Sequence, residues 1–384
     1  MVPARSIDAP VIARSRGSFA RIAGIAIACT MLLLASSLND AQAQIGPCVF
    51  ACVAPPPPPQ PPAASTVNTT LSTAYNVLNL GSDFLWRNIG KFGPGSNPTS
   101  NPEGSGADAP VTPAQRFRAW TEAYGVSART FTIDAYPGDK RTTYGAVAGI
   151  STTVAPGANL GVAVDQSWSK VGIQLFPQSA RINLTQVGVN GSYQFGDWIA
   201  AFTVIRGFAN VSSSRDDVGS IDTAAYGAKL WGALGELNYI WSQNNWRFVP
   251  KVGFDWQIVK VDSFTESGGP NAVTAGSLTA ERWRVFAGGE VGYAWLYDKK
   301  VFDLATYARL VDIVHQDVGS LAVTSNAGIA TVVAGVRESR FGLDTGGTFS
   351  TRLNSAVRLY AIYDGRFRQS FVSHTGTLGV ELRW

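Results

Sequence analysis

From about Gln115 to Trp384, apolar and polar residues alternate in a succession of short segments. In Trp246–Ile258, one face carries large apolar side chains, and the other carries Arg247, Lys251 and Asp255 among uncharged residues. Successive side chains of a β-strand point to opposite faces. The alternation therefore predicts strands with one apolar and one polar face, separated by segments rich in Gly, Asn, Asp, Ser and Pro.

Charged and aromatic residues indicate which face points inward. Charges of both signs share the polar face, as in a narrow polar lumen, whereas Trp lies near strand ends on the apolar face, as membrane-interface girdles require. Those residues are Trp246, Trp256, Trp283, Trp295 and Trp384. Only 15% of the residues are charged, and no apolar run long enough for a spanning helix follows the N-terminus. We therefore expect an outer-membrane barrel rather than a helical bundle, a soluble β-sandwich or a β-helix.

About twelve strands can be marked, and an even number is expected of a bacterial barrel. They start near residues 115, 141, 158, 182, 197, 224, 246, 282, 301, 333, 353 and 373. The predicted fold class is all-β, an antiparallel transmembrane β-barrel of about 12 strands. In the strand near 333, Glu338 and Arg340 fall on one face. Pro250 predicts a bulge, because proline cannot donate a ladder hydrogen bond.

Residues 1–43 predict an export signal. Four arginines precede an apolar run over residues 22–38, and Ala41-Gln42-Ala43 has the small-x-small form of a cleavage site. The mature chain would then start at Gln44. The alternative is an uncleaved membrane anchor.

Three segments separate this signal from the barrel at 114–384. Residues 44–64 contain a run of five prolines and predict an extended spacer. Within it, Cys48 and Cys52 could form a disulfide after export, or remain two free thiols. Residues 65–93 carry apolar side chains at helical spacing and predict a helix that needs a surrounding wall to be stable. Residues 94–113 predict a flexible loop.

The barrel segments resemble the translocator domain of autotransporters, the type V secretion barrels. The resemblance rests on Trp120–Gly125, Leu359–Phe367 and Gly376–Trp384, and on the order of signal, spacer, helix and barrel. It covers residues 65–384 and implies that the helix threads the pore. It also implies a bacterial outer-membrane location, insertion by the barrel-assembly machinery with periplasmic chaperones, and a passenger carried to the surface.

The C-terminal strand ends in alternating apolar residues and an aromatic: Leu378, Val380, Leu382 and Trp384. The resemblance implies that this end is the barrel-assembly signal, and the alternative, that Trp384 is one more girdle residue, is compatible with it. Residues 44–64 are too few and too rich in proline for a passenger domain. We therefore expect the barrel to anchor or translocate its own short N-terminal segment. The alternative is a porin-like passive channel or a structural surface protein without secretion activity.

A set of charged residues falls on the predicted inward faces. These are Arg247, Lys251, Asp255, Arg282, Arg284, Glu290, Asp303, Arg309, Arg358, Glu381 and Arg383. One interpretation is an ion-pair network that fills the lumen and grips the helix. The other is a weakly anion-selective pore, because Lys and Arg outnumber Asp and Glu by seven to four in this set.

The sequence predicts no catalytic, cofactor or metal site. It contains no hydrolase, zinc-protease, phosphate-binding or dinucleotide motif, and its two histidines are His315, in a predicted loop, and His374, on the lipid side. A hydrolase at the barrel rim stays open as a third hypothesis. A net charge of +4 is too weak for nucleic-acid binding. A closed barrel satisfies its own edges, so we expect a monomer whose partners are outer-membrane lipid and the assembly factors.

Overall fold

The computed structural model describes residues 67–89 and 116–384, apart from residues 134, 135, 218 and 299. These residues form one helix and seventeen strands. In chain order the elements are α1 (Asn68–Ile89), β1 (Phe117–Thr130), β2 (Asp139–Ala155), β3 (Ala158–Ile173), β4 (Gln178–Phe195), β5 (Trp198–Asp217), β6 (Ser220–Tyr239), β7 (Trp241–Gln243), β8 (Trp246–Val261), β9 (Phe264–Thr265), β10 (Val273–Ala275), β11 (Leu278–Tyr297), β12 (Lys300–Asp317), β13 (Ser320–Ser325), β14 (Ala330–Ala334), β15 (Phe341–Arg352), β16 (Val357–Arg368) and β17 (Phe371–Arg383).

Twelve long strands form a closed antiparallel barrel. Each of them pairs with the next long strand, and β17 returns to β1 in a register that runs from Arg118–Arg383 to Thr130–Phe371. At the seam, the backbones of Phe117 and Trp384 exchange two hydrogen bonds of 3.0 and 3.1 Å. Closure leaves no long strand with an unpaired edge, which is the condition for crossing a lipid bilayer. The predicted fold class is confirmed.

The two ends of the barrel differ in their connections. At one end, called here the turn end, tight turns join the strands, and Gly157, Gly196 and Asn244 have the positive φ angles that such turns require. At the other, called here the loop end, the two longest connections span 262–277 and 318–340. They pair through β9, β10, β13 and β14 in a separate four-stranded sheet. Short periplasmic turns and longer extracellular loops are typical of outer-membrane barrels.

The alternation of the sequence turns the apolar side chains outward. Along β3, Leu160, Val162 and Val164 are each 45–49% exposed, whereas Asp165 and Ser167 on the opposite face are fully buried. This is the inverse of a soluble sandwich, in which the apolar face packs inward. Exterior apolar side chains therefore face the surroundings of the barrel, and polar ones line its lumen.

Two details of the predicted strands are wrong. The strand expected near residue 333 is a short loop strand, β14, and the barrel strand is β15, which starts at Phe341. Pro250 causes no bulge, because the registers of β6 and β7 with β8 stay in phase across it. Instead, the ladder has a gap between the pairs Asn238–Lys251 and Trp241–Phe248, where proline has no N–H to donate.

The helix α1 lies inside the lumen. All of its residues are buried except Trp86, which is partly exposed. In the described part of the chain, no helix has both the length and the apolar character needed to span a membrane.

Candidate functional site

The site begins where the N-terminal end of α1 meets the loop end of the barrel. There the hydroxyl of Ser72 donates to Asp139 Oδ2 at 2.7 Å, at the first residue of β2. Tyr75 packs edge-on against Phe371 with 5.5 Å between ring centroids, and the Arg141 guanidinium lies 4.6 Å from the Tyr75 ring. These contacts place the first turns of the helix beside the loops that follow β1 and β16.

Ser82 is fully buried inside the lumen, and three polar side chains of the wall converge on its hydroxyl. Arg282 Nη2 and Arg284 Nη2 both donate to Ser82 Oγ at 2.8 Å, and the Gln257 amide nitrogen lies 2.5 Å from the same oxygen. A hydroxyl has two lone pairs and one proton. The two arginines occupy the lone pairs, and the buried Gln257 carbonyl oxygen has no partner among the described residues. The Ser82 hydroxyl then has only its proton left to share. This favours a Gln257 side-chain amide with its oxygen and nitrogen exchanged, so that Ser82 donates to the Gln257 carbonyl oxygen.

The C-terminal half of α1 makes the charged contacts between the helix and the barrel wall. Asp83 Oδ1 lies 2.5 Å from Arg366 Nη2, and both side chains are at most 10% exposed. The Arg87 guanidinium stacks on the Tyr124 ring at 3.5 Å. Near the end of the helix, Asn88 Oδ1 accepts a hydrogen bond of 2.6 Å from Asn190. Because Asn190 lies toward the turn end of β4, α1 runs from the loop end toward the turn end.

The helix packs closely on one side of the lumen only. It lies mainly against β3–β6 and β8, where Gly81 allows the approach: a Cβ there would come within 2.7 Å of Leu230 Cδ2. On the other side, a cavity of about 120 Å³ lies between the C-terminal half of α1 and β11, β12, β15 and β16, and Asp83 and Trp86 contact the wall beside it. Its lining mixes charged and polar side chains, such as Lys251 and Asp364, with apolar ones, such as Phe286 and Ile362. A cavity of this size that has polar partners in its wall can hold water.

The charged residues expected on inward faces fall into two groups. At the level of the helix, Arg284 pairs with Asp255 at 2.8 Å, Arg282 pairs with Glu338 at 2.6 Å, and the Arg309 guanidinium stacks on Trp86 at 3.4 Å. The others lie toward the turn end. There, ion pairs join Arg247 to Asp303 and Glu290, Lys251 to Glu290, and Arg358 and Arg383 to Glu381.

Several lumen residues were not predicted from the sequence. Asp83 and Ser82 lie in the helix, where their position on the docked face depends on tertiary packing. Glu338 lies in a loop that folds into the lumen and joins Arg282 to Arg368. The remaining unpredicted charges of the wall include Asp139, Arg141, Asp165, Asp344, Arg366 and Arg368. The strand alternation could have found most of these, since they share the inward parity of their strands.

The other residues singled out by the sequence lie away from the helix. Leu378, Leu382 and Trp384 are 68%, 45% and 52% exposed on the outer face of β17, and Val380 is partly buried there. His315 belongs to β12 rather than to a loop, so that expectation is wrong. His374 Nδ1 lies 2.8 Å from the Tyr363 hydroxyl. Cys48 and Cys52 lie outside the described residues.

Within residues 67–89 and 116–384, no group of three or more His, Cys, Asp or Glu side chains is placed to hold a metal ion. Most buried carboxylates of the lumen pair with guanidinium groups instead, and others, such as Asp165 and Glu236, accept hydrogen bonds from neutral side chains. The arrangement can therefore hold a helix by hydrogen bonds and ion pairs.

Comparisons with known proteins agree with this architecture. The family model described as the autotransporter beta-domain matches residues 119–364. The translocator domain of the autotransporter NalP from Neisseria meningitidis is similar with a TM-score of 0.64 and 14% identity, covering 84% of this chain and 100% of that one.

A second solved structure, the beta domain of the Bordetella autotransporter BrkA, has a TM-score of 0.51 and 14% identity, covering 70% of this chain and 100% of that one. At these identities the two structures show a common fold and nothing more. No curated protein sequence matches the chain. The family match extends over most of the sequence, and the chain belongs to the autotransporter beta-domain family, as an outer-membrane β-barrel of the translocator type.

Proposed function

We propose that this barrel carries its own N-terminal segment, residues 44–64, to the cell surface and anchors it there, with α1 remaining in the lumen as a plug. The observation that carries the proposal is the direction of the helix. Ser72 contacts Asp139 at the loop end, and Asn88 contacts Asn190 toward the turn end. If the long loops face outward, as in other outer-membrane barrels, the chain that precedes α1 leaves the lumen on the outside.

The lumen network supports the plug rather than an open pore. Asp83, Ser82 and Asn88 are held by wall side chains at 2.5–2.8 Å, and the helix is buried along its whole length except at Trp86. Removing one partner of such a buried pair leaves an uncompensated charge. We therefore interpret the inward-facing charges as a network that grips the helix. A passive porin-like channel is not favoured, because the helix occupies the space through which solutes would pass.

The remaining elements of the proposal concern biogenesis. We infer that residues 1–43 are removed after export, and that the barrel-assembly machinery and periplasmic chaperones act on the chain before it reaches outer-membrane lipid. The outward face of β17, with Leu378, Val380, Leu382 and Trp384, is the surface that such machinery would bind. The closed seam between β1 and β17 needs no second subunit to satisfy its backbone, which supports a monomeric barrel.

The experiment that tests the proposal is epitope labelling on intact cells. One tag is inserted after Pro62, a second after Gly328 in a loop-end connection, and a third after Asn354 in a turn at the other end. Antibody should bind the Pro62 and Gly328 tags on intact cells, and the Asn354 tag only after permeabilisation. If the Gly328 tag is on the surface but the Pro62 tag needs permeabilisation, the N-terminal segment is not translocated and the proposal is wrong.

A further inference from the structure

Three pairs of basic residues lie directly opposite each other on neighbouring strands of the barrel exterior. The pairs are Arg129 with Lys140, Lys170 with Arg181, and Lys229 with Lys260. All six side chains are exposed and have the outward parity of their strands. They lie toward the loop end, on the half of the barrel formed by β1–β6 and β8. These six residues are called here the basic belt.

Like charges directly opposite each other across a ladder destabilise a sheet. Among the described residues, the only carboxylate within ion-pair distance of the basic belt is Asp262, 3.8 Å from Lys229. Arg129 donates to the neutral Gln174 side chain at 3.2 Å, which leaves its charge uncompensated. The pairs Arg129–Lys140 and Lys170–Arg181 therefore have no carboxylate of the described residues beside them, and an external anion would relieve their repulsion.

Aromatic residues mark the depth at which this anion would lie. Trp168 is exposed two residues from Lys170 on the turn-end side, and Trp231 has the same relation to Lys229. Tyr144 stacks on Trp168 at 5.6 Å. Trp and Tyr of membrane barrels concentrate at the boundary between hydrocarbon and headgroups. Two residues of strand span about 6–7 Å, so the basic belt lies just beyond that boundary, at the level of lipid headgroups.

The surface beneath the basic belt is suited to acyl chains. Toward the turn end from Lys170, the outer face of β3 continues through Trp168 and Gln166, whose side-chain amide is hydrogen-bonded to Asn183 and Thr185 of β4, to the exposed Val164, Val162 and Leu160. A lipid with its phosphate at Lys170 and Arg181 can thus lay its hydrocarbon on an apolar wall. A free anion in solution would gain nothing from these side chains.

We propose that the basic belt binds the phosphate groups of phosphorylated lipid in the outer leaflet, with each opposed pair of cations holding one phosphate. Lysine and arginine form short charge-assisted hydrogen bonds with phosphate oxygens. A phosphate between two opposed cations converts their repulsion into two attractive contacts. The inference needs the barrel to lie in a membrane, but it does not need the N-terminal segment to be translocated.

The test uses the full mature chain in vesicles of phosphatidylcholine alone, with lipid A carrying its phosphates, or with dephosphorylated lipid A. Both leaflets then contain the probe, so the result is independent of barrel orientation and of the proposed secretion function. The variants are Lys170→Gln/Arg181→Gln and a matched control, Lys300→Gln/Arg340→Gln, which removes two exposed cations outside the basic belt. The midpoint of thermal unfolding and the amount of lipid A retained after detergent washing are measured.

Phosphorylated lipid A should raise the unfolding midpoint of the wild type and of the control variant equally. K170Q/R181Q should retain lipid A about thirtyfold less tightly, as expected when two cations are removed near an anionic surface. In phosphatidylcholine alone the same variant should be at least as stable as the wild type, because a repulsive pair is gone. A variant with all six residues replaced by Gln should show no rise at all.

Three results would overturn the proposal. The first is an equal rise with lipid A in the six-residue variant and the wild type. The second is an equal rise with dephosphorylated lipid A, which would remove the phosphate from the recognition. The third is an equal rise when inorganic phosphate is added to phosphatidylcholine vesicles, which would make the basic belt a site for free anions rather than for lipid.

Discussion

Asp83 of the helix and Arg366 of the barrel wall form a buried salt bridge, with 2.5 Å between Oδ1 and Nη2. Arg366 also reaches the helix backbone, with Nη1 3.5 Å from the carbonyl oxygen of Asn79. One guanidinium therefore holds two consecutive turns of α1 against β16. Both residues line the cavity of about 120 Å³ between α1 and the wall.

Asp83→Asn is expected to loosen the plug. The substitution leaves the Arg366 charge buried without its carboxylate, which typically costs about 3–5 kcal/mol. In planar bilayers, the variant should spend a larger fraction of time in a conducting state than the wild type. The matched control is Asp312→Asn, which breaks the pair with the exposed Arg340 and should change little, since solvent screens exposed ion pairs. Equal gating of the two variants would mean that Asp83 does not hold the helix.

Deletion of residues 44–93 should turn a nearly closed barrel into an open pore. The helix fills the lumen over residues 68–89, and the wall closes through the β1–β17 seam without it. Single-channel conductance of the full mature chain and of the deleted chain in the same bilayer measures the difference. If both chains conduct alike, the helix does not obstruct the pore in the membrane, and the passive-channel alternative gains support.

Gly81→Leu is expected to displace the helix from its wall. Even a Cβ at this position would lie 2.7 Å from Leu230 Cδ2, and overpacking of a filled interior typically costs about 1–3 kcal/mol. The single variant should therefore conduct more than the wild type in planar bilayers. The double variant Gly81→Leu/Leu230→Ala should recover the low conductance of the wild type, because the shorter side chain at position 230 makes room for the new leucine. Gly125→Leu is the control, since its Cβ would meet no neighbour within 4 Å. Failure of the double variant to recover would argue against this contact.

Trp384→Ala should slow barrel assembly and weaken the seam. The Trp384 ring stacks on Phe117 at 6.0 Å, where β17 closes on β1. Trp384→Phe should assemble at close to the wild-type rate, because an aromatic ring at the end of β17 is retained. Trp241→Ala removes another exposed aromatic at the turn end and serves as the control. The folded fraction in outer membranes, followed by heat-modifiable gel mobility, distinguishes an assembly signal from a girdle residue: equal defects in W384A and W241A would favour the girdle.

Glu266 should make the loop of residues 262–277, which follows β8, more stable at mildly acidic pH than at neutral pH. Burial raises the pKa of this carboxyl above its ordinary value, while Arg215 opposes the shift. A raised folded-state pKa means that the folded loop binds the proton more tightly than the unfolded loop, so stability rises as pH falls through that pKa. Limited proteolysis of residues 262–277 should show resistance increasing toward acid in the wild type. Glu266→Gln should show a smaller dependence, and the opposite slope in the wild type would contradict the assignment.

The alternation of β3 and β8 is enough to assign their faces, because parity is a local property of a strand. Leu160 and Val162 point outward and Asp165 inward in the same way in any antiparallel barrel. The start of β15, the tenth strand of the barrel, could not be predicted from alternation. Ala330–Ala334 alternates too little to distinguish a loop strand from a wall strand, and only the pairing of β15 with β12 and β16 settles which segment belongs to the barrel.

The sequence by itself determined the barrel class and the two faces of its regularly alternating strands, because alternation and the cost of charge in lipid act on each strand separately. It also contained the helical spacing that precedes the barrel. The tertiary structure alone decided that Glu338 meets Arg282 and that Asp83 meets Arg366. These partners lie far apart in the chain, and they meet through the register of closed strands and the depth at which the helix docks. The strand register and the docking depth each depend on many contacts across the whole barrel, so no short stretch of sequence can specify them.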